Sequence, residues 1–301
     1  MKPIVFIHTS DKQMLAARLS AYSLRTRSKY PDHFEVRLLR LEETPHLYRG
    51  REGRRYLWAA RVCIWRNRDL QAFGPLRFLV PQLMSFQGRA LVIDPDIFAI
   101  ADVHELLQRD MNEKAIICRR RSSGRYTSSV MLLDCARLKH WDWNWNVDAT
   151  FAFKLDMYDW LCLVGESPDT IGPLDEEWNH LDTLNGATKL LHNTERLTQP
   201  WKTGLPLDFD LGLMGSYPYR PGFHARDISK RISQRLASFR MPAGEYRPHP
   251  DQNQENFFVA LLREAIEQGE MSKEFVADEI QKKHVRADLL ELVGNGSQSN
   301  F

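Results

Sequence analysis

The apolar run Ala90-Leu91-Val92-Ile93, followed at once by Asp94-Pro95-Asp96, constrains this chain more than any other stretch. Opened by Gly88-Arg89 and closed by the proline, the run reads as a buried strand. Side chains at i and i+2 of an extended segment share a face, so the two carboxylates can converge on one cation. Open α/β sheets bind ligands beyond the carboxyl ends of their strands, which is where this pair falls. Asp-Pro is also a common turn opener, so the tripeptide alone leaves a turn and a divalent-cation site both open.

The flanking pattern gives the pair a setting. Ile4–Ile7 reads as a first strand, and Ser10-Asp11 as the start of a helix running to about Arg27. Phe34, Val36, Leu38 and Leu41 alternate as a second strand, while residues 45–68 read as irregular, part loop and part helix. Arg77–Met84 reads as a helix feeding the Ala90–Asp94 strand, and Ala115–Cys118 and Ser129–Leu133 as two more strands. Strands alternating with helices predict an α/β fold with a mixed, mostly parallel sheet flanked by helices. Beyond Trp141 the chain becomes tryptophan-rich, and Pro206–Pro250 is rich in Pro, Gly and Tyr with little periodicity. Helical periodicity returns around Phe257–Ile266 and Phe275–Leu292, a C-terminal helical extension, before a polar tail at 294–301 expected to be disordered.

Composition narrows the class. The chain has 301 residues, 43% hydrophobic and 27% charged, which suits a globular protein with a sizeable core. No segment reaches the ~18 apolar residues of a membrane helix, and Met1–His8 turns polar too soon for a secretory signal. The four cysteines form no Cys-x-x-Cys pair and read as reduced core residues of a cytoplasmic protein. A net charge of +2 hides a basic stretch: Arg25–Arg77 holds 13 Lys/Arg against 6 Asp/Glu. Most of these are expected on a solvated surface; otherwise they make a basic face for an anionic ligand or for peripheral contact with anionic lipid. No nucleic-acid-binding motif accompanies them.

Glycine-rich phosphate loops are absent, both Gly-x-Gly-x-x-Gly and the P-loop. An α/β enzyme without one must offset diphosphate charge by other means, with a metal and cationic side chains as the obvious substitute. Here the blocks around the acidic pair become specific. Arg77-Phe78, then Phe86-Gln87-Gly88-Arg89 leading into Asp94-Pro95-Asp96-Ile97-Phe98, then Asp102 and Glu105-Leu106, form one block. Leu174-Asp175-Glu176-Glu177-Trp178-Asn179 forms a second. Leu190-Leu191-His192-Asn193-Thr194 and Gln199-Pro200-Trp201-Lys202 follow in order. Together, across roughly residues 1–210, they resemble the glycogenin-like, family-eight glycosyltransferases of the GT-A (Rossmann-like) fold.

That resemblance implies a UDP-sugar donor, a hydroxyl acceptor, transfer of a hexose with retention, and a Mn²⁺ (or Mg²⁺) ion. It implies Asp94, Asp96 and His192 as metal ligands, and hard carboxylates with one imidazole suit Mn²⁺. It implies Arg77 at the donor and Thr9 and Asp11 at the uracil, with helix capping equally open for Asp11. The lysine that relatives carry before Pro-Trp is Gln199 here, leaving Lys202 or Arg196 to supply the charge. On that basis a lysine at 199 is expected to be tolerated without weakening UDP binding. Asp156 is the nearest candidate to contact the transferred sugar, with a plain surface role equally open. Trp141, Trp143 and Trp145 are left as core or acceptor-cleft residues. The expected organisation is a catalytic unit over 1–215, an irregular segment and helices over 216–293, and the tail. The helices are expected to pack against that unit or in an oligomer. Two other readings stay open: a lapsed binding protein of the same fold, and a sugar nucleotidyltransferase, against which the missing N-terminal glycine- and lysine-rich loop counts.

Overall fold

The computed structural model describes residues 1–209, 217–218 and 244–295. Its central sheet has the order β2-β1-β5-β8-β7-β9, from β1 Ile4–Thr9, β2 Glu35–Arg40, β5 Arg89–Ile93, β7 Ile116–Arg120, β8 Tyr126–Asp134 and β9 Ile171–Pro173. β1 pairs in parallel with β2 and β5, and β9 in parallel with β7. Only β8 runs the other way, between β5 and β7. The fold is therefore a mixed α/β sheet, mainly parallel in strand direction. Pro173 ends the edge strand β9, where a missing N–H costs no ladder bond.

Successive residues of the inner strands enter different cores, as the period of two requires. Ile4, Phe6, Ala90, Val92, Met131 and Leu133 face a layer containing Phe78, Trp141, Trp143 and Trp160. Val5, Ile7, Leu91, Ile93, Val130 and Leu132 face a layer with Ala17, Ala21 and Leu24 of α1 (Met14–Thr26). Burial on both faces explains why these strands are unbroken apolar runs. Trp141 and Trp143 are core residues, whereas Trp145 is exposed.

Helix α1 is buried on a second side as well. Leu15, Leu19 and Tyr22 pack with Phe257, Phe258, Leu261 and Leu262 of α7 (Gln252–Glu267), Val276 of α8 (Lys273–Gln281) and Leu289 of α9 (Leu289–Asn295). Each such buried side chain contributes roughly 1.5–3 kcal/mol relative to exposure. The helical extension is thus a layer packed on α1.

Four expectations are corrected. The single helix over Phe275–Leu292 is two, α8 and α9. Lys283 adopts a left-handed φ of 58°, and the Arg286 guanidinium ties the turn to Glu255 and Asp288. The last helix runs through Gly294 to Asn295, and the rest of the expected tail, 296–301, lies outside the described residues. Within 45–68, after a short helix α2 (Pro45–Tyr48), the chain forms a hairpin of β3 (Arg55–Trp58) and β4 (Arg61–Ile64). The Arg77–Met84 helix is a 3-10 turn, Gly74–Phe78, followed by one α-turn, α3 (Val80–Leu83). Most of the expected irregular stretch, 210–243, lies outside the described residues except for the backbone of Tyr217–Pro218 (β12), which pairs with β4.

Candidate functional site

Two strand pairings bring the acidic pair to its neighbours. β1 and β5 align Ile7 with Ile93, so the next residues, His8 still within β1 and Asp94 just past β5, lie side by side. His8 Nε2 lies 2.9 Å from Asp94 Oδ1. After Pro95 the chain forms β6 (Ile97–Ala99), which pairs antiparallel with β11 (Leu190–His192) and sets His192 opposite Ile97. The Asn193 N–H donates to the Asp96 carbonyl at 3.1 Å and locks that register. β10 (His180–Leu181) completes this small sheet, just after Asn179.

Asp94, Asp96 and His192 each present one donor atom, all within 4.8 Å of one another. Asp94 is held from behind. Its Oδ1 accepts from Arg77 Nη2 at 3.0 Å, while Arg77 also donates to Gly74 O and to Ser128 Oγ. Burial pushes the Asp94 carboxyl upward, but Arg77, His8 and His192 outweigh it and hold it at about 2. Burial, then the Arg77 charge, lowers the pKa of fully buried His8 despite Asp94, which leaves that imidazole neutral.

His192 is fixed by its far nitrogen. Nδ1 lies 2.8 Å from Asn179 Oδ1, and Asn179 Nδ2 in turn donates to Ser129 Oγ at 3.0 Å. An amide oxygen only accepts, so Nδ1 carries the proton and the neutral ring turns a bare lone pair at Nε2 to the carboxylates. Nε2 stands 3.4 Å from Asp96 Oδ1 and 4.0 Å from Asp94 Oδ2. Asp96 Oδ1 is buried without a hydrogen-bond partner among the described residues. Three acceptors that face one another need a proton or a cation between them. Burial lowers the His192 pKa, but Asp96, then Asp94, raise it more, so a proton meets that need when no metal does. The orphaned oxygen, the oriented imidazole and the hard donor set fit a divalent ion.

The triad opens into a cavity of about 420 Å³, within the range of small-molecule sites. Tyr56, Trp58 and Trp65 of the hairpin region form one wall, and Arg66, Arg121 and Arg196 add positive charge. Arg77, Asp94, Asp96, His192 and Gln199 all line the same space. Thr9 and Asp11 do not line it. Thr9 is fully buried with its hydroxyl on Ser10 O, and Asp11 pairs with Arg40 at 2.5 Å. Lys202 is also elsewhere: fully buried, its Nζ 3.3 Å from Asp208 Oδ2, with its pKa lowered by burial.

Asp156 caps α6 (Met157–Leu161) through the N–H groups of Tyr158 and Asp159. The same carboxylate accepts from Ala59 N at 2.9 Å and Ala60 N at 2.7 Å, the left-handed residues of the hairpin turn. It therefore braces the cavity wall and is not among the lining residues. Sequence reasoning missed His8, Ser128, Asn179 and Gln13. Only Asn179 carried a signal, as the last residue of the Trp-Asn block.

No protein-family model matches the chain, and no curated protein matches it in sequence. Solved structures do. Mouse xyloside xylosyltransferase 1 aligns at 13% identity over 65% of this chain and 98% of that one, with a TM-score of 0.45. The glycosyltransferase GlyE of Streptococcus pneumoniae TIGR4 aligns at 13% identity over 90% of this chain and 64% of its own, with a TM-score of 0.48. The galactosyltransferase LgtC, solved with donor and acceptor sugar analogs, aligns at 10% identity over 79% and 97%, with a TM-score of 0.47.

Proposed function

We propose that the chain is a metal-dependent GT-A glycosyltransferase that moves a hexose from a UDP-sugar to a hydroxyl acceptor with retention. The observation that carries this reading is the convergence of Asp94 Oδ2, Asp96 Oδ1 and Nε2 of His192 on one point of the cavity wall. A divalent ion held by those three, Mn²⁺ before Mg²⁺, would supply positive charge against a diphosphate leaving group. Hexose, donor, metal identity and retention rest on the motif resemblance.

The remaining roles belong to the protein. Arg77 keeps Asp94 ionised and, anchored at Gly74 O and Ser128 Oγ, adds fixed positive charge beside the pair. Asn179 selects the His192 tautomer and aims the ring. The Tyr56, Trp58 and Trp65 wall offers aromatic faces for a base or a sugar ring. Asp156 acts on that wall by clamping its turn rather than by touching the sugar.

No helix among the described residues is long and apolar enough to cross a membrane, and Cys63, Cys118, Cys135 and Cys162 are all buried and in no disulfide. Burial pushes the Cys118 thiol up to about 12, the state of an inert core thiol. A reducing compartment such as the cytoplasm fits that usage, and fractionation of cells expressing the chain tests it.

The test of function is release of UDP from a panel of nucleotide sugars with Mn²⁺, with and without acceptor alcohols. Turnover of one UDP-hexose, lost in Asp96→Ala, is the expected result. If no nucleotide sugar turned over and UDP bound equally with and without Mn²⁺, the enzyme reading would fall. Metal-dependent UDP binding without turnover would favour a lapsed binding protein.

A further inference from the structure

Behind Asp96 runs a chain of buried polar groups that the assignments above do not use. Trp201 Nε1 donates to Gln13 Oε1 at 3.1 Å, Gln13 Nε2 donates to Gln199 Oε1 at 3.2 Å, and Gln199 Nε2 donates to Asp96 Oδ2 at 3.1 Å. Gln13, Gln199 and Trp201 are exposed by only 2%, 3% and 0% respectively, with the two glutamines bordering the cavity. The members come from three segments: the turn before α1, the loop after β11, and the turn between β5 and β6.

The polarity of this chain is forced from both ends. An indole N–H can only donate, so the amide oxygen of Gln13 must face Trp201. Its nitrogen then faces Gln199 and requires that residue's oxygen there. The Gln199 nitrogen is left for Asp96, and an ionised carboxylate can only accept. Neither amide can flip without placing two donors or two acceptors in contact. The anchor is rigid as well, because the Trp201 ring packs 5.0 Å from Phe258 and 5.9 Å from Phe98.

We propose that Gln199, oriented through Gln13 by Trp201, is the positioning residue of the metal centre. It ties down Asp96 Oδ2 so that Oδ1 is the single donor turned to the site, and it does so without adding charge. This deepens the metal-centre reading and rests on it. A neutral amide adds no fixed cation beside Asp96, whereas a lysine at 199 would pair with that carboxylate. The sequence-based expectation for Gln199→Lys thus takes a different form. Its ammonium faces Asp96 before any diphosphate, so Mn²⁺ binding weakens even where metal-free UDP binding does not.

The test measures Mn²⁺ affinity by calorimetry and by electron paramagnetic resonance of bound Mn²⁺, using the full chain without UDP. Gln199→Met is expected to weaken binding about tenfold and to alter the zero-field splitting, as loss of an outer-shell partner does. Gln13→Met should give a smaller loss, and the double variant should be no worse than Gln199→Met, since the two act in series. Trp201→Phe, which removes only the N–H that sets the polarity, is the second probe should Gln199→Met fail to fold. Melting in chelator separates positioning from general damage: the expected loss of affinity exceeds what any shift in apo stability explains. Wild-type protein that bound no Mn²⁺ would overturn the metal centre and this proposal together. Wild-type binding matched within about twofold by Gln199→Met, or by Trp201→Phe if that is the variant that folds, would overturn this proposal alone.

Discussion

Asp94 and Asp96 are two residues apart, of the same type and at one cavity, yet the molecule treats them in opposite ways. The sheet side surrounds Asp94 with a buried guanidinium and an imidazole, and its carboxyl is held at about 2. The β6–β11 side offers Asp96 one neutral amide at Oδ2 and, facing Oδ1, only the His192 imidazole at 3.4 Å. The first carboxylate is already compensated by protein and stabilises the fold. The second has no fixed cation beside it: a proton on His192 offsets it in the apo protein, and a bound cation would take that proton's place. A paired-carboxylate motif therefore need not contain two equivalent ligands.

The largest effect that tests this contrast is on metal affinity. Asp96→Asn should weaken Mn²⁺ binding by roughly a hundredfold or more, above the range for loss of an outer-shell partner. The melting temperature in chelator should hold, because no fixed cation of the protein loses its partner. Calorimetry and a thermal melt on the same preparation check both halves. A variant that lost stability while keeping Mn²⁺ would reverse the roles assigned to the two aspartates.

Arg77→Met probes the other side and should show the inverse pattern. Removing one partner of a buried pair leaves the other charge uncompensated, a loss of about 3–5 kcal/mol when burial is complete. Asp94 is about one-fifth exposed, so about 2 kcal/mol is expected in urea unfolding. Mn²⁺ affinity should not fall, since an Asp94 freed of its cation is a better ligand. An Arg77→Met protein as stable as wild type would mean that the guanidinium serves the ligand and not the fold.

This asymmetry could not be read from the chain, whereas the frame around it could. The runs at Ile4–Ile7, Ala90–Ile93 and Ser129–Leu133 are continuous because both faces of the sheet are covered, and such runs declare themselves. The candidate ligands were legible because motif blocks carried Asp94, Asp96 and His192. Their surroundings were not. His8 reads as the polar end of a strand, and only the β1–β5 register sets it against Asp94. Gln13 and Gln199 are 186 positions apart, and nothing local marks either as a relay. The hairpin escaped because its turn, Ala59-Ala60, adopts φ of 50° and 57° with no Gly or Asn to announce it. Asp156, distant in sequence, supplies the stabilisation that the turn residues lack. The helix break at Lys283 was hidden because apolar spacing runs on across it, through Ile280, Val285 and Leu289.

Asp102 extends the comparison to a carboxylate with no free oxygen, and carries the smallest effect. It belongs to the same resembling block as the acidic pair, but it caps α4 (Val103–Leu107) by accepting from His104 N. It also accepts from Ser28 Oγ at 2.6 Å and from Lys29 N at 3.2 Å, which binds the segment after α1 to the start of α4. Burial raises its pKa, but those donors together lower it below the ordinary aspartate value. A carboxyl depressed in the folded state stabilises fully above its unfolded pKa, and that contribution is lost as pH falls through the folded one. Wild-type protein should therefore lose this increment below about pH 4, the ordinary aspartate value. Asp102→Ala should be less stable by about 1–2 kcal/mol at neutral pH, as for loss of a helix cap with further hydrogen bonds. The gap between the two proteins should close as the buffer is taken below pH 4, and Mn²⁺ affinity should be equal in both at neutral pH. Unfolding curves across that range decide it: a gap that stayed constant down to full protonation would show that Asp102 stabilises by packing and not by charge. Equal metal affinity would then separate the three aspartates by the number of oxygens each leaves for a cation.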